Sequence, residues 1–314
     1  MNRRMVLYVV GTVIKIEAAL MILPLITSLI YKENCAVDFL ISIGIALAAG
    51  FALTLIFKPG SKVIYAKEGF VIVSLAWLAL SVVGALPFYI SGEIPSYIDA
   101  FFETVSGFTT TGASILNDIE VMSKGLLFWR SFTHWVGGMG VLVFVMAIIP
   151  TVSDRTIHIL RAEAPGPVVG KIVPRMKQTA RILYIIYIAL TFIEMILLLA
   201  GGMPLFESII HAVGTAGTGG FGVKADSIAS YSPYLQWVIT VFMIVFGVNF
   251  NIYYMILTKR IKNALRSEEL WVYILMFLFV GAAITVNIMP LYGSVSESIR
   301  QAFFQTASIV TTTG

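Results

Sequence analysis

The sequence predicts an all-α, polytopic membrane fold built from repeats of outer helix, re-entrant loop and inner helix, preceded by two extra transmembrane helices. Three observations carry that expectation. The 314 residues are 58% hydrophobic and only 12% charged, with a mean hydropathy of +0.92. Soluble domains carry about 25% charged residues. Apolar runs long enough to cross a bilayer alternate with apolar runs too short to do so. One short motif occurs twice, about two hundred residues apart, with a looser copy between.

The long runs cover 5–30, 36–57, 69–90, 126–149, 180–201, 234–258 and 269–290. The first begins MNRRMVLYVVGTVIKIEAALMILPLI. It is too long for a signal-peptide core and is read as a retained helix. The short runs, about 96–107, 203–215 and 295–309, read as re-entrant helices, which lipid tolerates only where their ends are buried in protein or line a cavity. Lys and Arg test the topology. With a cytoplasmic N-terminus and re-entrant short runs, fifteen of the 21 fall inside. Lys32, Lys124, Arg130, Lys224 and Arg300 fall outside, and Lys15 lies within a helix. Full crossing by the short runs would put basic loops on alternating sides, so the positive-inside rule favours re-entry. The net charge of +4 then needs no nucleic-acid partner.

The expected organisation is a two-helix pair (1–67), a first repeat (68–150), a cytoplasmic linker (151–178), a second repeat (179–260) and an incomplete third (261–314). The third copy stops at its glycine without an inner helix, which predicts a longer parent protein.

The repeated motif reads AFFETVSGFTTTG at 100–112 and AFFQTASIVTTTG at 302–314, with HAVGTAGTGG at 211–220 as the looser copy. To pass a narrow filter, potassium sheds its water, and rings of backbone carbonyls can replace the hydration shell. Glycine supplies the unusual backbone angles such a strand needs. Thr109, Thr110, Thr111 and Gly112 fit this role, as do Thr311, Thr312, Thr313 and Gly314. In the middle copy Ala216, Gly217, Thr218, Gly219 and Gly220 take the place, with Gly219 matched to Gly112. A short helix aiming its C-terminal end at the strand adds partial negative charge that favours a cation. The layout is potassium-channel-like. A lone Thr-Gly run would more readily be read as helix packing; matched copies, each after a short apolar helix, reverse that preference.

Other polar residues are ambiguous from sequence. Glu103 and Gln305 share an offset, and Glu103 either pairs with donors behind the strand or adds to the cation field. Asn249 and Asn251 face a cavity or bond to another helix. Glu194 suits a buried partner on another helix, and Lys15 and Glu17 suit snorkelling or interhelical pairing. Trp135, Gly137, Gly138 and Gly140 read as close packing of an inner helix. His134, His158 and His211 have no metal-ligand spacing, and HEXXH, GXSXG, Walker and GXGXXG patterns are missing, so nothing points to catalysis or a resident cofactor. Cys35 stands alone. The basic stretch 150–181 suits a cytoplasmic contact surface or a topology determinant.

The residues FFETVSGFTTTGAS (101–114), HWVGGMGVLVFVMAIIP (134–150), RAEAPGPVVGKIVPRMKQTARILYIIY (161–187), HAVGTAGTGGF (211–221), FGVNFNIYY (246–254) and AFFQTASIVTTTG (302–314) resemble the Trk/Ktr/HKT superfamily of potassium transporters, most closely its bacterial Trk-type membrane subunit. The resemblance implies four linked repeats around one pore, with Gly112, Gly219 and Gly314 as filter glycines. It further implies potassium as transported substrate, a homodimer in the lipid bilayer of the plasma membrane, and gating by a cytosolic nucleotide-binding regulatory subunit. Two other readings are an ion-coupled secondary transporter, disfavoured because the repeats are parallel rather than inverted, and a non-conducting structural subunit.

Overall fold

The computed structural model describes residues 2–60, 66–140 and 176–314. The described residues are predominantly helical, with no β-sheet pairing among them. Five helical stretches are long and apolar enough to cross a membrane: Arg3–Tyr31, Cys35–Ile56, Lys67–Ile90, Arg181–Ala200 and Glu268–Tyr292. A bent pair, Pro233–Gly247 with Phe250–Leu257, makes a sixth if counted as one span. Leu40, Ile45, Phe51 and Leu55, and on a later helix Val272, Leu275, Phe279 and Val286, are exposed. Such apolar faces suit lipid rather than water. The chain is a multi-pass membrane protein. It divides into two compact units.

The first unit comprises the described residues of Met1–Thr109 and Ala113–Arg181. Its helices are α1 (Arg3–Leu20), α2 (Ile22–Tyr31), α3 (Cys35–Ile56), α4 (Ala66–Gly84), α5 (Leu86–Ile90), α6 (Tyr97–Phe108) and α7 (Lys124–Gly138). Helix α1 packs on α3 and α4. The approach of α1 to α3 depends on small residues: a Cβ at Gly11 would lie 2.6 Å from Leu53 Cβ, and one at Gly50 would lie 2.5 Å from Lys15 Cγ. Close backbone approach of this kind is how membrane helices gain packing energy without a hydrophobic drive between them. The Lys15 ammonium donates to Thr54 Oγ1 at 3.2 Å, the interhelical pairing its sequence context allowed. Glu17 is buried beneath Gly84, whose carbonyl accepts a 2.9 Å bond from Trp129 Nε1. Trp129 and Phe108 meet edge to face at 6.1 Å and lock α6 onto α7. Where the sequence predicts an inner helix over 126–149, α7 ends at Gly138. Gly140, at φ +69°, donates to the Gly137 carbonyl. These glycines therefore close a helix. The remainder of that expected helix and most of the 150–181 stretch lie outside the described residues.

The second unit comprises Thr110–Gly112 and Ile182–Gly314. It contains most of α8 (Met176–Ala200), then α9 (Leu205–Ala216), α10 (Pro233–Gly247), α11 (Phe250–Leu257), α12 (Ile261–Leu265), α13 (Glu268–Tyr292) and α14 (Val295–Val310). Its core gathers Leu198, Met203, Ala212, Leu235, Ile239, Met243, Phe277 and Ala307. Gly281 leaves room for the Phe303 ring, which sits edge to face on Phe277 at 5.3 Å.

The run 234–258 is not the single helix its hydropathy predicts. It turns by 85° between α10 and α11, where Val248 is extended (ψ 139°). Side chains invisible to a hydropathy plot make the turn possible. Asn249 caps α11 by accepting from Asn251 N at 3.0 Å, and its amide donates to both Glu269 oxygens at 3.2 Å. Two carbonyls at the end of α10 are taken by tyrosines: Tyr253 OH donates to Val245 O at 2.6 Å and Tyr273 OH to Ile244 O at 3.1 Å. A Cβ at Gly247 would lie 2.5 Å from the Tyr273 hydroxyl, so glycine there admits the tyrosine. Replacing Tyr273 by Phe leaves the Ile244 carbonyl without that donor. The full-length protein in detergent should lose about 1–3 kcal/mol of stability, read as a lowered melting temperature; an unchanged melting curve would deny the hydroxyl this role.

Candidate functional site

Three short helices, α6, α9 and α14, end in the same way. Each is capped by a residue still in the right-handed region: Thr109, Gly217 and Thr311. The next residue flips to positive φ, and each time it is a threonine: Thr110 at 55°, Thr218 at 53° and Thr312 at 59°. Two residues on stands a glycine, also at positive φ: Gly112 at 77°, Gly220 at 78° and Gly314 at 88°.

In the second and third copies the hydrogen bonds define a Schellman termination. Thr218 N donates to Thr215 O at 2.9 Å and Gly219 N to Gly214 O at 3.1 Å. Thr312 N donates to Ile309 O at 3.2 Å and Thr313 N to Ser308 O at 2.9 Å. Such a termination is normally given to glycine, because a Cβ in the left-handed region costs roughly 1–2 kcal/mol. A threonine carrying that cost at one register in three copies is backbone strain, which clusters at functional sites.

This backbone corrects the register of the middle copy. The sequence match at the Thr-Gly step pairs Gly219 with Gly112. The alternation of φ pairs Gly220 with Gly112 and Gly314, and places Ala216 as the last residue of α9. The equivalent strands are therefore 109–112, 217–220 and 311–314. The run TAGTGG offers two adjacent glycines, and only the distance from the helix end distinguishes them.

The glycines are demanded by space as well as by φ. A Cβ on Gly112 would run into the carbonyl oxygen of Gly219, and one on Gly220 into that of Thr313. In the second and third strands the third residue thus sets its carbonyl against the glycine of the strand before it. Hydroxyls tighten the third copy: Thr311 Oγ1 and Thr313 Oγ1 lie 2.7 Å apart. The helix C-termini bring partial negative charge to the strands they feed. Among the described residues no group of three His, Cys, Asp or Glu side chains is placed to hold a metal ion in the ordinary ligating sense.

In the first unit the chain on either side of residues 110–112 is braced by a buried ion pair. Arg130 Nε donates to Glu103 Oε1 at 2.6 Å. The same carboxylate accepts from Ser114 Oγ at 2.9 Å and from Ile115 N at 3.0 Å. Both side chains are almost wholly buried, at 2% and 0% exposure. Of the two roles open to Glu103, the structure places it with donors. Arg130, grouped by sequence with the outside charges, is a buried helix residue. An arginine within an apolar run was the signal that could have revealed it. Gln305, at the same offset as Glu103, is exposed.

Long apolar helices carrying short helices that end in strained, glycine-closed segments define an all-α polytopic membrane protein. The chain belongs to the TrkH family: the family model described as "TrkH: Cation transport protein" matches residues 37–314. It is 35% identical to the Trk system potassium uptake protein TrkH of Salmonella typhimurium, over 100% of this chain and 66% of that protein. To the Trk system potassium uptake protein TrkG of Escherichia coli it is 31% identical, over 99% of this chain and 65% of that protein. The crystal structure of the potassium transporter TrkH from Vibrio parahaemolyticus superposes with a TM-score of 0.85 at 28% identity, covering 100% of this chain and 65% of that one. The chain thus spans about two thirds of the length of the relatives it matches.

Removing one partner of the Glu103–Arg130 pair strands a buried charge. Glu103→Leu should destabilise the full-length protein by about 3–5 kcal/mol, whereas Glu103→Leu with Arg130→Met should recover much of that loss. Thermal unfolding of both variants in detergent checks it; equal melting temperatures for single and double variants would remove the ion pair from this account.

Proposed function

We propose that this chain forms part of a Trk-type membrane subunit that takes up potassium across the plasma membrane, with the strands 109–112, 217–220 and 311–314 as three segments of its selectivity filter. The observation that carries the reading is the repeated termination just described: one strained threonine and one glycine per copy, with consecutive strands seated glycine against carbonyl. Backbone carbonyls fixed in this way can replace the water shell of a dehydrated cation. The relatives are named as potassium uptake proteins, and the family as cation transport.

In this reading the N-terminus is cytoplasmic and α6, α9 and α14 are re-entrant, as the distribution of Lys and Arg favours. Two copies of the full-length protein pair in the bilayer, and a cytosolic nucleotide-binding partner gates them; both features rest on the superfamily resemblance.

Rubidium and sodium uptake into proteoliposomes holding the full-length protein tests the function. Saturable rubidium flux that excludes sodium is the expected result; no rubidium flux, with a regulatory partner supplied, would refute it. Gly112→Ser places a Cβ against the Gly219 carbonyl and should lower the rubidium-to-sodium preference by roughly tenfold, the equivalent of about 1.4 kcal/mol. An unchanged preference in this variant would remove Gly112 from the filter.

A further inference from the structure

The corrected register aligns the three short helices residue by residue. Six residues before each cap stand Glu103, His211 and Gln305. In the first copy that position holds the carboxylate paired with Arg130, seven residues past the Ser123 cap of α7. Seven residues past the Ser232 cap of α10 the second copy has Ile239. The second copy therefore cannot repeat the ion pair. It has instead a cavity of about 20 Å3, lined among others by His211, Gly214, Thr215, Gly220, Ile239 and Thr313. His211 is 6% exposed, and its Nε2 has no hydrogen-bond partner among the described residues.

A buried polar nitrogen without a partner costs about 1–3 kcal/mol. A polar cavity of more than roughly 10–15 Å3 admits one water, given two or more polar partners. Here His211, Thr215, Thr313, Gly214 and Gly220, each with polar atoms, share the lining. Water suits either imidazole tautomer, because it both donates and accepts.

We propose that His211 holds a single structural water in this cavity, and that the water braces the second filter strand from behind, taking the place that the Glu103–Arg130 pair has in the first copy. His211 is on this view a positioning residue for the filter, not a group that touches the ion. The inference rests on the filter reading for its effect on selectivity, and on the cavity alone for the water.

Two measurements on the full-length protein test it. A high-resolution cryo-EM map should show a density peak at hydrogen-bond distance from His211 Nε2; a dry cavity, or one filled by a side chain, overturns the proposal. In proteoliposomes His211→Leu should lower the rubidium-to-sodium preference by roughly three- to tenfold, the loss expected for one hydrogen bond of positioning. His211→Gln, whose amide can still engage water, should retain most of the preference. Unchanged selectivity in His211→Leu, or an equal loss in the Leu and Gln variants, overturns the positioning role. If His211→Leu fails to fold, Ile239→Phe enlarges another lining side chain to fill the cavity and should lower the preference by the same factor; unchanged preference there also counts against the water. Wild-type protein that carries no rubidium would refute the filter reading, and the map would still decide whether the water is bound.

Discussion

A peptide group that leaves a helix inside a bilayer has no water to turn to, and each unsatisfied donor or acceptor costs several kcal/mol. That constraint orders the structure at every point where a helix stops short. The short helices α9 and α14 end in Schellman bonds that return amide hydrogens to carbonyls of the last turn. The turn after α10 recruits two tyrosine hydroxyls and an asparagine. Gly137 and Gly140 close α7 on each other. In each case the sequence departs from simple apolar repetition where a backbone group needs a partner, and the departure is a glycine, a hydroxyl or an amide.

The same constraint explains which parts of the fold were legible beforehand. Length and hydropathy suffice to find helices such as α3 and α13, because a spanning segment satisfies its own backbone and needs only an apolar surface. The TTTG copies at 109–112 and 311–314 were legible because they repeat. The turn at Val248 was not, since its supports, Tyr253, Tyr273 and Glu269, lie up to two helices away and read as ordinary residues of apolar or polar runs. The pairing of Arg130 was not legible for a related reason: counting charges by loop records a side of the membrane and not a partner, and here Glu103 holds the charge inside the protein.

The middle strand shows a different limit. Identity of letters pairs Gly219 with Gly112, yet the chain registers on the end of the preceding helix. What the copies share is a sequence of backbone signs, negative then positive then positive two residues on, with threonine at the first positive position and glycine at the second in every copy. Counting from the helix cap, rather than matching the closing glycine, recovers Gly220. It also brings His211 into line with Glu103 and exposes how differently two copies of one motif are supported.

Those differences follow from having the three strands on one polypeptide. In an assembly of identical subunits any substitution enters every strand at once, so a change tolerable at one place must be tolerable at all. Here Glu103, His211 and Gln305 occupy one register with three chemistries, and each neighbour-to-neighbour contact, Gly112 on Gly219 or Gly220 on Thr313, can drift alone. Covalent linkage thereby frees each strand to be adjusted separately, at the cost of the exact symmetry that identical subunits would impose.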